Sequence, residues 1–190
     1  MKDIFIIHDF INQEDMDKII KFTNDNIEHF QEMVEKPRWT YKFGKDEAHP
    51  KSSEDLDKLG EIKDMVVNTY WPKVLQLIKD ECQDNSKLYI ASFWLSKQSN
   101  GSYLTLHDDT EGQTNLHFKW SASLYLNTMK KGGTLEFPKI PYSYSPIAGD
   151  LVLFPSQGEA TNPHEVIEVY EDRYTCVFWI TEDINFALNA

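Results

Sequence analysis

The sequence predicts an α+β protein, mostly β with α: a double-sheet jelly roll, or double-stranded β-helix, of about eight strands braced by N-terminal helices. Two observations carry this prediction. Apolar residues recur at helical spacing over residues 1–86, whereas from Leu88 onwards short apolar or alternating runs follow one another with turn residues between them. Helices followed by many short strands are typical of a double-sheet β fold with its helices on one side.

The chain is expected to begin with a short strand over residues 4–8 and a long helix. Asn12 is the predicted N-cap, and Glu14 and Asp15 lie in the first turn, where carboxylates favour the helix dipole. The apolar spacing predicts that this helix continues until shortly before Pro37, because the residue before a proline disfavours helix. Its apolar stripe comprises Met16, Ile20, Thr23, Ile27, Phe30 and Val34.

A strand over residues 39–43, a polar loop over 44–55 and a second helix are predicted next. Ser53 is the candidate cap of that helix, and Pro72 is expected to kink or split it, because proline cannot donate a helical backbone hydrogen bond. The apolar stripe of this helix comprises Leu56, Leu59, Ile62, Val66, Tyr70, Leu75, Ile78 and Cys82.

The C-terminal half supplies eight candidate strands, with turn signals at Gly132-Gly133 and Gly149-Asp150. The strands are predicted over residues 88–96, 103–109, 117–127, 134–138, 140–145, 150–154, 164–169 and 173–181. We therefore expect a single domain over residues 1–190, with the N-terminal strand and supporting helices in 1–86 and the jelly-roll core in 87–183.

Composition excludes several classes of partner. The net charge of −12 over 190 residues argues against nucleic acid and against a membrane surface, since both attract basic faces. The two cysteines, Cys82 and Cys176, have no short metal-binding spacing and are expected to be free thiols in a reducing compartment. The N-terminal apolar run is too short for a signal peptide, so a soluble, cytoplasmic protein is expected.

His107 and Asp109 are the most informative residues. They stand two apart in a predicted strand, so an imidazole and a carboxylate project from the same face. One more imidazole completes two nitrogens and one oxygen, the facial set that holds non-haem Fe(II) and leaves positions for O₂ and a cosubstrate. His164 is the candidate third ligand and His117 the competing one, which we leave out. Asp108 points to the opposite face and is not expected to bind metal.

Alternation along the strands predicts the surroundings of this site. Tyr103 and Thr105 are expected on the interior face with His107, whereas Leu104 and Leu106 should pack against the helices. Two further strands would present polar faces to the same interior: Arg173, Thr175, Val177 and Trp179 on the last, and Ser121, Ser123, Tyr125 and Asn127 on the third. An Arg, a Thr and a Tyr together make an anion pocket. Each also has a plainer interpretation: a structural His-x-Asp, a core histidine at His164, a surface ion pair at Arg173 and core packing at Tyr125.

Six segments in order resemble the prolyl 4-hydroxylase-like branch of the Fe(II)/2-oxoglutarate-dependent oxygenases. They are "LTLHDD", "SASLYLN", "GGTLEFP", "PIAGDLVLFPS", "NPHEV" and "RYTCVFWI", and the resemblance spans residues 88–182. The opening "FIIHDFINQEDMDKII" also looks like the strand and helix that begin such proteins. Two departures are that Arg173 stands where collagen-type relatives usually carry Lys, and that Ser96 and Lys97 stand where a tyrosine is often found.

The resemblance implies a role for each matching residue. His107, Asp109 and His164 would hold iron, and Arg173 would bind the distal carboxylate of 2-oxoglutarate. The other positions that the resemblance assigns to the cosubstrate pocket are Tyr125, Thr175, Val166, Trp179 and Leu135. It further implies O₂ as the second cosubstrate and ascorbate as an accessory reductant.

The implied reaction is hydroxylation of an unactivated C–H bond with release of succinate and CO₂. The substrate is expected to be a peptide or protein containing proline, and the alternative is a free amino acid or other small metabolite. A third alternative is a jelly-roll module that binds a metal or a sugar without catalysis. Arg173 together with Tyr125 argues against that last alternative, since such a module has no need for an anion pocket.

Aromatic residues and polar loops are the candidate substrate elements. Trp39, Tyr41 and Phe43 alternate before the loop at 44–55, and with Tyr103 they are candidates to contact a proline ring. They are equally well explained as ordinary core. The loop at 44–55 and the segment 110–115 are candidate lids over the site.

Overall fold

The computed structural model of the chain describes residues 4–34, 37–44, 59–110, 117–157 and 163–188. Three α-helices precede most of the strands: α1 (Gln13–Asp25), α2 (Leu59–Met65) and α3 (Trp71–Glu81). The strands β1 to β11 are Phe5–Ile7, Gln31–Glu32, Arg38–Gly44, Tyr89–Gln98, Leu104–His107, Phe118–Tyr125, Leu135–Phe137, Tyr142–Tyr144, Leu151–Pro155, His164–Val166 and Arg173–Thr181.

The strands form two antiparallel sheets that face each other. The larger sheet has the order β1-β9-β6-β11-β4-β3-β2, and the smaller has the order β5-β10-β7-β8. All eight strands predicted from residue 88 onwards are present, with small differences at their ends. The predicted jelly-roll architecture, braced by helices, is confirmed.

Strand β11 shows how alternation builds the layers. Tyr174, Cys176, Phe178 and Ile180 point to the helices and join the largest apolar core, to which α1 and α3 also contribute. Arg173, Thr175, Val177 and Trp179 point into the space between the sheets, as predicted, and line a cleft there. The large sheet is therefore apolar on its helix side and carries polar side chains on its inner side.

Helix α1 begins as predicted but ends earlier. The Asn12 side chain accepts a hydrogen bond from the backbone N–H of Asp15 at 2.9 Å, which confirms the N-cap. The helix ends at Asp25, because the side-chain amide of Asn26 bonds to the carbonyl of Phe22 and a 3₁₀ turn follows over Ile27–His29. The prediction that it continues towards Pro37 is therefore wrong, and Val34 is 92% exposed.

The second predicted helix is split ahead of Pro72, as expected. A π-helical segment, Val66–Tyr70, separates α2 from α3, and Pro72 stands in the first turn of α3, where its missing N–H costs little. Val66, Tyr70 and Ile78 are buried along this stretch, and Val74 occupies the buried position that was predicted for Leu75. Ser53 and Leu56 lie outside the described residues.

The two glycine-marked turns are confirmed. Gly132 and Gly133 have φ of +72° and +67°, and Gly149 has φ of +90°, all in the region that favours glycine. A Cβ on Gly132 would also meet the carbonyl oxygen of Glu168 at 2.1 Å, so this turn lies directly against the chain after β10.

Both cysteines are free, with Cys82 directly after α3 and Cys176 buried in β11. Among the helices that the structure describes, none has the length and apolar character needed to cross a bilayer.

Candidate active site

His107, Asp109 and His164 converge at one end of the cleft between the sheets. Their ligand atoms all lie within 4.8 Å of one another. The Nε2 atoms of His107 and His164 lie 3.8 and 3.9 Å from the two carboxylate oxygens of Asp109. Two imidazole nitrogens and one carboxylate are the donor set of non-haem Fe(II) sites with open positions, so the residues present fit that metal.

His107 is aimed into the cleft by an irregularity in β5. Leu104 pairs with Val166 and His107 pairs with His164, so β5 carries one more residue than β10 between the two pairs. Such a bulge interrupts alternation, and as a result Leu104 and His107 both line the cleft. The Nδ1 of His107 donates to the carbonyl oxygen of Thr105 at 2.8 Å, which orients the ring with Nε2 facing Asp109.

The bulge also corrects the predicted faces of this strand. Tyr103 and Thr105 were expected to line the interior, but Tyr103 is 48% exposed and Thr105 is exposed too. Leu106 was expected to pack against the helices, but it is 50% exposed. Strict alternation over 103–109 fails because of the extra residue, although it gave the correct placement for His107 and Asp109.

Asp109 is held in place by the neighbouring strand β6. Its Oδ2 accepts a hydrogen bond from the Ser121 hydroxyl at 2.5 Å, and the Ser156 hydroxyl lies 2.6 Å from that of Ser121. Both serines are fully buried. This pair fixes the carboxylate orientation, which is the usual role of groups that hydrogen-bond to metal ligands.

His164 is buried among apolar rings. Its ring centroid lies 5.0 Å from that of Phe154 and 5.7 Å from that of Phe137. Burial lowers the pKa of His164 to about 4, and the Asp109 carboxylate offsets only part of that effect. The imidazole is therefore neutral at physiological pH, the state that a metal ligand requires.

Arg173 lies in the same cleft and is almost completely buried. Its guanidinium carbon lies 5.2 Å from the centroid of the Tyr125 ring, and its Nη1 donates to Oε1 of Gln98. Among the described residues, no carboxylate lies within ion-pair distance of Arg173, and neither its Nε nor the Tyr125 hydroxyl has a hydrogen-bond partner. A buried guanidinium whose Nε lacks an acceptor in the described part of the chain, beside a buried hydroxyl without a partner there, fits a carboxylate ligand.

Burial shifts the pKa values of Arg173 and Tyr125 in opposite directions. It lowers the pKa of Arg173, but a guanidinium stays charged in proteins. It raises the pKa of Tyr125, so the hydroxyl remains protonated and able to donate. Arg173 and Tyr125 together therefore present a positive charge and a neutral donor.

Of the five other residues predicted for the cosubstrate pocket, four line the cleft and one does not. Thr175 and Trp179 line the cleft from β11, and Leu135 and Val166 line it from the smaller sheet. Tyr125 does not line the cleft itself but lies behind Arg173, with its ring also packed against Tyr144.

Gln98 and Trp94 were not predicted as residues of the site, and Ser121 was predicted to face the interior but was given no role there. Gln98 and Trp94 line the cleft from β4, and the Trp94 ring lies 4.8 Å from that of Trp179. Their alternation in β4 was visible in the sequence, but the order of the strands that places β4 beside β11 was not.

The histidine and the aspartate that were not expected to bind metal make other contacts. His117 stacks on Phe186, with ring centroids 3.7 Å apart. Asp108 accepts hydrogen bonds from the backbone N–H and hydroxyl of Thr110, so it caps a turn. His8 is exposed.

Three of the four aromatic residues that were candidates to contact substrate are core residues. Tyr41 and Phe43 are buried on the helix side of the large sheet, and Trp39 packs against the same core. The prediction that these three line a groove is therefore wrong. Of the two candidate lids, nearly all of 44–55 and all of 111–115 lie outside the described residues.

Comparison with known proteins defines the class. Residues 93–181, just under half of the chain, match the family model described as the 2OG-Fe(II) oxygenase superfamily. This segment contains the His107, Asp109 and His164 cluster and Arg173, and over it the chain is similar to the Fe(II)/2-oxoglutarate-dependent dioxygenases. The matched family implies Fe(II), 2-oxoglutarate and O₂ as cofactor and cosubstrates.

Several solved structures share the fold. The viral collagen prolyl hydroxylase of Paramecium bursaria Chlorella virus-1, in complex with 2OG, is 14% identical over 95% of this chain and 96% of its own, with a TM-score of 0.68. A Pseudomonas putida prolyl-4-hydroxylase is 18% identical over 94% and 92%, with a TM-score of 0.67.

A third similar structure contains a peptide. It is a Trichoplax adhaerens prolyl hydroxylase in complex with a fragment of the hypoxia inducible factor oxygen degradation domain. It is 17% identical over 100% of this chain and 88% of its own, with a TM-score of 0.72. No curated protein matches the sequence significantly. At these identities the solved structures establish the fold and leave the substrate to be proposed.

Proposed function

We propose that this dioxygenase hydroxylates proline within a peptide, at C4, and converts 2-oxoglutarate to succinate and CO₂. The observation that carries the proposal is a single cleft that holds the His107, Asp109 and His164 cluster together with a buried Arg173 whose Nε lacks a partner among the described residues. A metal-binding module without catalysis has no use for that second group.

His107, Asp109 and His164 are the proposed iron ligands. Each Nε2 atom lies within 4 Å of an oxygen of the Asp109 carboxylate. When bound there, Fe(II) supplies the activation of O₂ that the family reaction requires. The protein contributes the orientation of the ligands, through Thr105 on one imidazole and Ser121 on the carboxylate.

Arg173 is the proposed partner of the distal carboxylate of 2-oxoglutarate. The hydroxyl of Tyr125, which lies behind Arg173 and has no partner among the described residues, is proposed as a second donor to that carboxylate. Thr175, two residues along β11, adds a hydroxyl to the same wall. Leu135 and Val166 close the opposite wall with apolar side chains. They exclude water, which strengthens the interaction between a guanidinium and a carboxylate.

The proline preference is supported by the inner aromatic residues of the large sheet. Trp94 and Trp179 form an edge-to-face pair that lines the cleft. A flat aromatic surface suits the rigid, apolar proline ring, as in other domains that bind proline-containing peptides. The prolyl hydroxylases among the similar structures, one of them in complex with a peptide, support the same substrate class.

The test is incubation with Fe(II), 2-oxoglutarate, O₂ and proline-containing peptides, with ascorbate as the proposed reductant that keeps iron ferrous. The expected result is a gain of one oxygen on proline, matched by succinate. Trp179→Ala should lower the yield on peptide while metal binding is retained. Succinate that forms only with free amino acids or other metabolites, with no peptide modified, would overturn the peptide proposal in favour of the metabolite alternative.

A further inference from the structure

Gln98 occupies the floor of the cleft beside Arg173. It is 1% exposed and points inward from β4. In the register of the large sheet it lies directly opposite Arg173 of β11 on one side and Arg38 of β3 on the other. A neutral amide therefore stands between two arginine positions in one row across three strands.

The contacts of Gln98 determine which way its amide faces. Arg173 offers only donors, so the atom that meets its Nη1 must be the amide oxygen. The amide nitrogen then donates to the hydroxyl of Ser102 at 3.2 Å, and Ser102 is fully buried. The side chain is thus held at both ends, and it holds one arm of the guanidinium in turn.

The chemical type of this acceptor matters as much as its position. Arg173 bonds to an amide oxygen that carries no net charge, and no carboxylate of the described residues lies within ion-pair distance of it. The charge of the guanidinium is therefore not neutralised by the described residues, and its Nε–H can donate to a ligand. A carboxylate at position 98 would occupy the same place but would neutralise Arg173 within the protein.

We propose that Gln98 is a positioning residue that sets the requirement for a dicarboxylic 2-oxo acid. It fixes the Arg173 guanidinium with a neutral acceptor, so that the remaining donors and the full charge face the distal carboxylate. This inference rests on the proposed role of Arg173. It adds that the identity of residue 98, and not Arg173 alone, decides whether the distal carboxylate is bound.

The test compares two ligands on the Mn(II)-loaded protein by calorimetric titration. 2-Oxoglutarate has both a metal-chelating end and a distal carboxylate, whereas oxalate chelates metal and has no distal carboxylate. Gln98→Glu should weaken 2-oxoglutarate at least tenfold and change oxalate less than twofold. Gln98→Met, which keeps the length but removes the acceptor, should weaken 2-oxoglutarate severalfold and again spare oxalate. Gln31→Glu, the same change at an exposed site, should alter neither.

The outcomes separate this inference from the proposed function. A wild-type protein that binds oxalate but no 2-oxoglutarate would overturn both. If Arg173→Ala loses 2-oxoglutarate while Gln98→Glu and Gln98→Met retain it, only the role of Gln98 is overturned. An equal loss of both ligands in the Gln98 variants would make Gln98 a structural residue and would also overturn the inference.

Discussion

At the scale of single residues, Asp109 connects the parts of the candidate metal site. Its carboxylate faces an imidazole on each side and accepts a hydrogen bond from buried Ser121. A carboxylate in such surroundings is costly to bury unless a cation is present, because a buried charge needs a partner. The arrangement is therefore suited to a bound divalent metal.

The first prediction concerns these ligands. His107→Ala, Asp109→Ala and His164→Ala should each abolish tight binding of Fe(II) or Mn(II), because two ligands remain. Ser121→Ala should weaken binding about 10–100-fold, since it removes only the group that orients the carboxylate. His117→Ala, which removes a ring stacked on Phe186, is the matched control and should leave binding intact. Equilibrium metal titration checks all five; loss in His117→Ala with retention in His164→Ala would refute the assignment.

The sequence predicted the metal ligands better than it predicted the residues that orient the side chains of the site. His107, Asp109 and His164 could be found because two-residue spacing in a strand is a local property. Ser121 and Gln98 act through strands that are distant in sequence, so their contacts depend on strand order. Trp39, Tyr41 and Phe43 were ambiguous for a related reason: alternation shows that they share a face but does not say which face.

At the scale of elements, local sequence predicted where structures begin better than where they end. The Asn12 cap of α1 was correct, but the helix ends at Asp25 because Asn26 bonds back to Phe22 and because β2 pairs with β3. Neither cause appears in apolar periodicity. The bulge in β5 is similar, since it is defined only by pairing with β10.

The second prediction tests how α1 is fixed to the π segment. The buried Tyr70 hydroxyl donates to the carboxylate of Asp15, and this bond is the main reason that the pKa of Asp15 lies below its ordinary value of 3.8. A lowered carboxyl pKa stabilises the fold above pH 3.8, and that contribution is lost as the pH falls through the folded-state pKa. Tyr70→Phe should lower the free energy of unfolding by about 1.5–3 kcal/mol at pH 7.

The pH dependence distinguishes this bond from simple loss of packing. The difference between wild type and Tyr70→Phe should shrink steadily below pH 3.8, as measured by urea unfolding at a series of pH values. Tyr142→Phe in β8 is the control, since no described carboxylate bonds to its hydroxyl, and its effect should not vary with pH. A Tyr70→Phe difference that stays constant from pH 7 to pH 3 would contradict the account.

At the scale of the whole molecule, the two faces of the large sheet have different roles: one packs in the core and the other lines the candidate site. Its outer face packs on the helices through the main apolar core, and its inner face carries Arg173, Gln98, Ser121 and Trp179. The smaller sheet supplies His107 and His164 across the cleft. The fold class was predictable because eight short strands after a helical half leave few alternatives. The net charge of −12 favours the approach of neutral or basic ligands over acidic ones.

The central claim is that one cleft binds a metal and 2-oxoglutarate together, and titration of 2-oxoglutarate by calorimetry tests it most directly. The Mn(II)-loaded wild type should bind one equivalent, and removal of the metal should abolish tight binding. Arg173→Ala should weaken binding by about 2–5 kcal/mol without loss of metal, since it leaves a carboxylate buried without its partner. Lys63→Ala, at an exposed position, should change nothing. Equal affinity with and without metal, or an unchanged dissociation constant in Arg173→Ala, would contradict the account.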